Sequence, residues 1–210
     1  TKDHGPVTKA FPLLSQFNQL IASVTIDGNT YFLDGADDSY PFGTLPVYDL
    51  ADAGFKIGLD DYTWLDIPYA SKYKADTYVK VDFSDTAAST LYWRTQYEGY
   101  AAMVVRHRLK EANSDGSFVR KLIQSDGFDW ILDSLAIQNQ SDISNPLIVT
   151  SYFHRRDSNL VAQERIFLNS VSRSSFKHNP LTAPSRTLPV DLEYPFEESM
   201  VVVYKLPKGF

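Results

Sequence analysis

The sequence predicts a mainly β protein of the α+β class: a few short amino-terminal strands, then a larger antiparallel sheet or sandwich with one short helix. Two observations carry this prediction. Apolar and polar residues alternate strictly through the middle of the chain, and two β-rich runs near the amino terminus flank an Asp-Gly-Asn turn. With 210 residues, of which 43% are hydrophobic, the chain can form one large or two small domains with a sizeable core.

The amino-terminal elements are short. Residues 20–25 and 30–33 are rich in β-formers and enclose Asp27-Gly28-Asn29, a junction that strongly favours a hairpin. Residues 40–46 contain two prolines and a glycine and therefore predict a loop. Residues 54–66 are interpreted as a linker with short strands.

The alternation is cleanest beyond residue 70. Thr77, Val79, Val81 and Phe83 fall on one face of a predicted strand, and polar residues fall between them. Residues 91–97 repeat the pattern. The next segment follows a predicted bend or bulge at Glu98-Gly99-Tyr100, and we expect a further strand over 101–109.

One helix is predicted near residues 117–126, because start signals precede an apolar stripe at helical spacing. Strands are expected to follow at 130–138, 147–153 and 163–168. Prolines are dense after residue 179, and each lacks the amide donor that a central strand needs. This region predicts an extended connector followed by one strand at 200–206.

Composition and motifs exclude several classes of function. The net charge of −6 is spread along the chain, which argues against nucleic acid as a partner. No apolar run is long enough to predict a membrane span. The four histidines are scattered without metal-ligand spacing, and no glycine-rich loop suggests a nucleotide, so no metal and no cofactor are expected.

Several segments resemble a family of uncharacterised bacterial proteins with a transglutaminase-like domain, typical of Bacteroidetes. In that family a strand opening Phe-Asn/Asp-His runs into a second strand that ends Leu-Asp-Ala-Thr. Here the first strand opens Phe17-Asn18-Gln19 and the second ends Leu33-Asp34. Further similar segments, in the loop and in the family's flanking β domain, are residues 40–46, 98–102, 165–169, 179–181 and 186–191.

The resemblance implies a Cys-His-Asp triad in the family, with this chain covering the His/Asp half. Asp34 takes the position of the triad acid, Gln19 takes the position of the histidine, and the chain contains no cysteine. An amide cannot accept and return a proton near neutral pH, so thiol catalysis by this chain is excluded. The alternative interpretation of Asp34 is a turn acid within the acidic cluster 34–38.

The resemblance also implies an organisation and a location. Residues 1–55 are expected to form the carboxy-terminal part of a transglutaminase-like domain, 65–180 an antiparallel β domain with one helix, and 181–210 a connector or the start of a further β domain. A chain that starts without Met and stops inside a family motif predicts a fragment of a longer protein. The family resemblance places it in the periplasm or outside the cell.

Three functions remain open at this stage. The first is a non-catalytic β-rich scaffold or interaction module that contacts a protein partner or the rest of the parent chain, for which exposed strand edges would serve. The second is the carboxy-terminal part of a thiol acyltransferase or peptidase whose cysteine lies upstream. The third is glycan binding on exposed aromatic rings, with a polysaccharide as partner; the candidate rings are Tyr62, Trp64, Tyr69 and Tyr73.

Overall fold

A computed structural model describes residues 7–11, 13–51, 53–85, 88–112, 114–124, 130–156, 161–162, 165–166 and 194–209, with residues 182, 185, 187, 190 and 192. The chain divides into two compact units. The first comprises Thr1–Lys72 with Val190–Pro195, and the second comprises Tyr73–Pro189 with Phe196–Phe210.

The first unit contains the predicted hairpin. Strand β1, Ala22–Ile26, pairs antiparallel with β2, Asn29–Leu33. The two turn residues both have positive φ, 49° at Asp27 and 80° at Gly28. This is the geometry of a two-residue turn whose twist matches that of the strands, and Asp-Gly adopts it readily. The hairpin prediction is therefore confirmed.

A 3-10 turn, Leu14–Gln16, precedes the hairpin, and a loop and a second hairpin follow it. Gly43 has a φ of 75°, and a Cβ at this position would lie 3.0 Å from the Tyr31 ring. A 3-10 turn, Val47–Asp49, follows. Strands β3, Ala53–Ile57, and β4, Tyr62–Asp66, then pair antiparallel where short strands were expected.

The second unit is built on a five-stranded sheet. Its strands are β5 (Tyr73–Asp82), β6 (Ala88–Gly99), β7 (Ile131–Gln138), β8 (Leu147–Arg156) and β11 (Phe196–Lys205), in the order β11-β5-β6-β8-β7. All neighbours are antiparallel except β11, which runs parallel to β5. Two further strands of two residues each, β9 (Val161–Ala162) and β10 (Arg165–Ile166), pair with one another.

The alternating pattern of β5 defines the core side of this sheet. Val79 and Val81 are fully buried, and the residues between them face away, as the strand period requires. Helix α1, Tyr100–Glu111, contacts β5 and β6, and helix α2, Asp115–Gln124, contacts β7. The core continues through the apolar residues Leu91, Trp93, Ala101, Val105, Leu109, Val119, Leu147, Val149 and Phe153.

The expected strand over 101–109 is wrong, because this segment is helix α1. Its buried positions Ala101, Ala102, Val105 and Leu109 follow the helical period, although the run of Met and Val also suits a strand. Gly99 ends β6 and precedes the helix with a φ of 55°, a conformation that glycine adopts without the steric cost of a Cβ.

The carboxy-terminal strand begins earlier than residue 200. It is β11, and it lies in the same sheet as β5 and β6 rather than in a separate connector or domain. Because β11 is an edge strand, the proline just before it, Pro195, removes no central ladder bond. The mainly β, α+β fold class is confirmed.

Candidate functional site

The structure brings together the two residues that the family resemblance singled out. Gln19 lies just before β1 and Asp34 directly follows β2, and the hairpin pairs Ala22 with Leu33. Residues flanking these ends therefore lie side by side. The Gln19 amide Nε2 donates to Asp34 Oδ2 across 3.4 Å, and Asp34 Oδ1 accepts the backbone N–H of Ala36 at 2.8 Å, an Asx turn.

A third residue, Asp49, joins this pair, and sequence reasoning missed it. Asp49 ends the 3-10 turn, and only 6% of its surface is exposed. Its carboxyl lies within hydrogen-bonding reach of the Asp34 carboxyl. The sequence did carry a signal, because Asp49 sits directly before Leu50 in the apolar run that starts at Leu45. Both leucines are buried.

Burial raises the pKa of Asp49 to about 7, and hydrogen bonding to Asp34 and the negative charge of Asp34 raise it further. When both carboxyls are ionised neither can donate, and no other described residue donates to either Asp49 oxygen. Close like charges in a buried place keep a carboxyl protonated to higher pH, and this applies to Asp49 beside Asp34.

The pKa values of two nearby tyrosines are raised in part by the same negative charges. Burial raises the pKa of Tyr40 to about 12, and the charge of Asp37 adds to it. The pKa of Tyr48 is also raised, by burial first and then by Asp34 and Asp49. A phenolate next to carboxylates is disfavoured, so both hydroxyls stay protonated at neutral pH.

Gln19 and Asp49 both line a cleft of about 460 Å³ within the first unit. Leu20, which is 92% exposed, stands among the lining residues, and Lys56 lines the cleft with an exposed side chain. Apolar side chains dominate the rest of the lining; they include Phe17, Ile21, Phe55, Leu65 and Ile67. The volume is sufficient for a small ligand or a few residues of a peptide.

The chemistry available in this cleft is not that of a thiol enzyme. The chain contains no cysteine, and Gln19 offers an amide that binds without transferring protons. The Asp49 carboxyl, whose pKa is raised to about 7, can hold and release a proton near neutral pH. The cleft therefore combines apolar walls with polar side chains that include the amide of Gln19 and one acid, Asp49, to which no described residue donates.

The four aromatic candidates do not form one group. Tyr62 and Trp64 lie on β4, where both rings contact Phe55 at tilts of 38° and 58°. Tyr62 is 70% exposed, and Tyr69, between β4 and β5, is also exposed. Tyr73 belongs to the second unit, where it stacks on Phe196 at 4.5 Å between ring centroids. Tyr73 therefore contributes to packing within the sheet.

A second, smaller cleft of about 270 Å³ lies in the second unit beside Arg106. Arg106 is buried, and its Nη2 donates to the backbone carbonyls of Asn139, Asp142 and Asn145 at 2.7–3.0 Å. Burial lowers the pKa of this guanidinium, although the charge of Asp142 opposes the shift. The three bonds tether the loop between β7 and β8 to helix α1.

The described residues contain no group of three side chains that could hold a metal ion. Within that part of the chain, His107 pairs with Glu111 one helical turn away, and His154 pairs with Asp133 of the neighbouring strand. His4 and His178 lie outside the described residues. Neither described helix has the length and apolar character needed to cross a membrane.

No protein-family model, curated protein or solved structure matches this chain.

Proposed function

We propose that this chain is a non-catalytic interaction module of a transglutaminase-like protein, and that the cleft of its first unit binds the ligand. The hydrogen bond between Gln19 and Asp34 carries this proposal. An amide occupies the position where a proton-transferring imidazole would be needed, and it bonds the acid that would orient such an imidazole. Gln19 therefore gives the cleft an amide that can form hydrogen bonds but cannot act as a base.

The surroundings of the cleft favour a ligand-binding role over a purely structural one. Leu20 is almost fully exposed at the rim of an apolar cleft, and an exposed leucine beside apolar lining residues is a typical anchor point for a partner. A protein partner or another part of the parent chain would cover it. The periplasmic or secreted location belongs to this proposal through the family resemblance.

A random peptide library displayed on phage and selected against the immobilised chain tests this function. We expect selected peptides to bind the wild-type chain, to lose at least tenfold affinity for Leu20→Asp, and to be recovered with unchanged mass. Leu59→Asp is the matched control, because Leu59 is equally exposed but does not line the cleft. Cleaved or modified peptides, or peptides that ignore Leu20, would contradict the proposal.

One observation favours a second candidate, in which the chain is the carboxy-terminal part of a thiol acyltransferase or peptidase. The pKa of Asp49 is raised to about 7, in part by the charge of Asp34, so Asp49 could take the role that Gln19 cannot. This candidate requires a cysteine from elsewhere in the parent protein. The intact mass and peptide map of the native product test it, followed by an acyl-transfer assay with Asp49→Asn.

A further inference from the structure

Three tyrosines form a line of rings on the face of the five-stranded sheet opposite the core. Val79 and Val81 belong to the core that helices α1 and α2 cover, and Tyr78 lies between them on the other face. Tyr92 pairs directly with Tyr152 on the neighbouring strand, and Tyr78 lies diagonal to Tyr92. The ring centroids are 6.1 Å apart for Tyr78 and Tyr92, and 5.0 Å apart for Tyr92 and Tyr152. We call these three rings the tyrosine ladder.

The tyrosine ladder is accessible to solvent. Tyr152 is 50% exposed, and Tyr78 is 39% exposed. Tyr92 lies between them and is partly buried. Adjoining exposed aromatic side chains mark a binding surface more strongly than a single exposed ring does. A ligand can therefore reach the rings without any movement of the sheet.

The ladder is one side chain wide, and it is polar on both sides. The residues two positions before and after each tyrosine share its face, and all are polar; they are Asp76, Lys80, Thr90, Arg94, Thr150 and His154. Val201 of β11, opposite Tyr78, extends the line by one exposed apolar side chain. Protein interfaces have a broader apolar centre with polar residues at the rim. A narrow line of rings instead fits a linear chain with apolar faces and polar edges.

The charges on this face favour an uncharged chain. Lys205 pairs with Asp82 at 2.9 Å, and Lys74 pairs with Glu98 at 3.2 Å. Acidic side chains are as common as Lys and Arg among the described residues of the face. Nucleic acids also stack bases on the aromatic rings of a sheet, but their phosphates require an excess of basic side chains. A neutral ligand needs no such excess.

We propose that the tyrosine ladder binds a single chain of a neutral polysaccharide, with sugar rings stacked on Tyr78, Tyr92 and Tyr152. A pyranose presents C–H bonds on its faces, which attract the negative face of an aromatic ring, and hydroxyls at its edges. Arg94 and Thr150 beside the ladder offer partners for those hydroxyls. Successive tyrosine rings are tilted by 62° and 56°, so they suit one flexible chain better than a flat crystalline surface. This site lies in the second unit and goes beyond the proposed function of the cleft.

Calorimetry of the full chain with four soluble probes, cellohexaose, laminarihexaose, mannohexaose and xylohexaose, tests the inference. We expect at least one probe to bind, and Tyr152→Ala to weaken that binding by about tenfold or more, because an exposed ring is lost. Tyr152→Phe keeps the ring and should lose no more than about threefold. Tyr62→Ala is the matched control and should have no effect, because Tyr62 is 70% exposed but lies in the first unit.

The wild-type chain gives two further readouts. The ring proton shifts of the three ladder tyrosines should move together as the probe is added. Affinity should stay constant between about 50 and 500 mM NaCl, because a neutral ligand releases no counterions.

Three results would overturn the inference. They are absence of binding by all four probes, binding of oligo(dT) in their place, and a dimer of the chain that Tyr152→Ala dissociates. Leu20→Asp should leave binding of the hexasaccharide unchanged, and Tyr152→Ala should leave binding of the selected peptides unchanged. Failure of the ladder site therefore leaves the proposed function of the cleft standing, and the reverse also holds.

Discussion

The side-chain amide of Gln19 donates to the carboxylate of Asp34 across 3.4 Å, at the open end of the hairpin that joins them. The hairpin holds these two residues together, because β1 begins and β2 ends at the open end of the hairpin. Asp49 then approaches Asp34 from a different segment. The result is a group of one amide and two carboxyls beside an apolar cleft, in which Asp49, with its raised pKa, is the group that titrates.

The stability of the first unit should fall as pH rises from about 4 to about 7. The pKa of Asp49 is raised to about 7 in the folded chain, whereas an unfolded Asp titrates near 3.9. Between these values the folded state binds more protons than the unfolded state. Raising pH therefore costs on the order of 2–4 kcal/mol of unfolding free energy, and no further loss follows above pH 7.

Asp49→Asn tests this slope, because asparagine keeps the size of the protonated acid and does not titrate. Hydrogen exchange of residues 20–35, measured at several pH values and corrected for intrinsic rates, reports the unfolding free energy of the unit. The unfolding free energy of Asp49→Asn should exceed that of the wild type by a margin that grows as pH rises to 7. Asp27→Asn should give no such trend, and parallel curves for wild type and Asp49→Asn would disprove the assignment.

Gln19→His should create a histidine whose pKa lies above its ordinary value of about 6.5, because the Asp34 carboxylate would stabilise the imidazolium. Carbon and nitrogen chemical shifts of the ring, followed from pH 5 to 9, measure this pKa. The double variant Gln19→His with Asp34→Asn should return it to the ordinary range. A histidine that titrates identically in both variants would show that the pair does not persist in solution.

Gly43→Ala should destabilise the first unit by about 1–2 kcal/mol. The residue has a φ of 75°, and an added Cβ would lie 3.0 Å from the Tyr31 ring, so the substitution meets both backbone strain and a close contact. Gly35→Ala is the control, because a Cβ there meets nothing within 4 Å and the backbone is not left-handed. Urea unfolding compares the two variants, and equal midpoints would contradict the prediction.

Local sequence signals identified much of the fold but less of the site. The hairpin at Asp27-Gly28 and the strand around Val79 could be predicted, because turn chemistry and a period of two are local properties. Helix α1 could not, because the Met and Val residues before Arg106 suit either structure and packing on the sheet decided between them. Asp49 was missed because its burial and its contact with Asp34 depend on tertiary structure.

Arg106→Met should destabilise the second unit by about 2–4 kcal/mol. The substitution keeps the apolar stem in place but removes a buried charge that donates to three backbone carbonyls, at Asn139, Asp142 and Asn145. Those carbonyls would be left without their donor, and hydrogen bonds to a charged group contribute more than neutral ones. Exchange of the amides in residues 139–145 should accelerate more than exchange in β5, because the tether holds this loop specifically.

Arg108→Met on the same helix provides the comparison for Arg106. Its side chain is exposed, so the same change of residue type should alter the unfolding free energy by no more than about 0.5 kcal/mol. Urea unfolding of both variants, with exchange of the 139–145 loop as the local readout, separates tethering from a general loss of charge. If both variants are equally destabilised, or if the loop is equally protected in both, the buried guanidinium does not hold the loop.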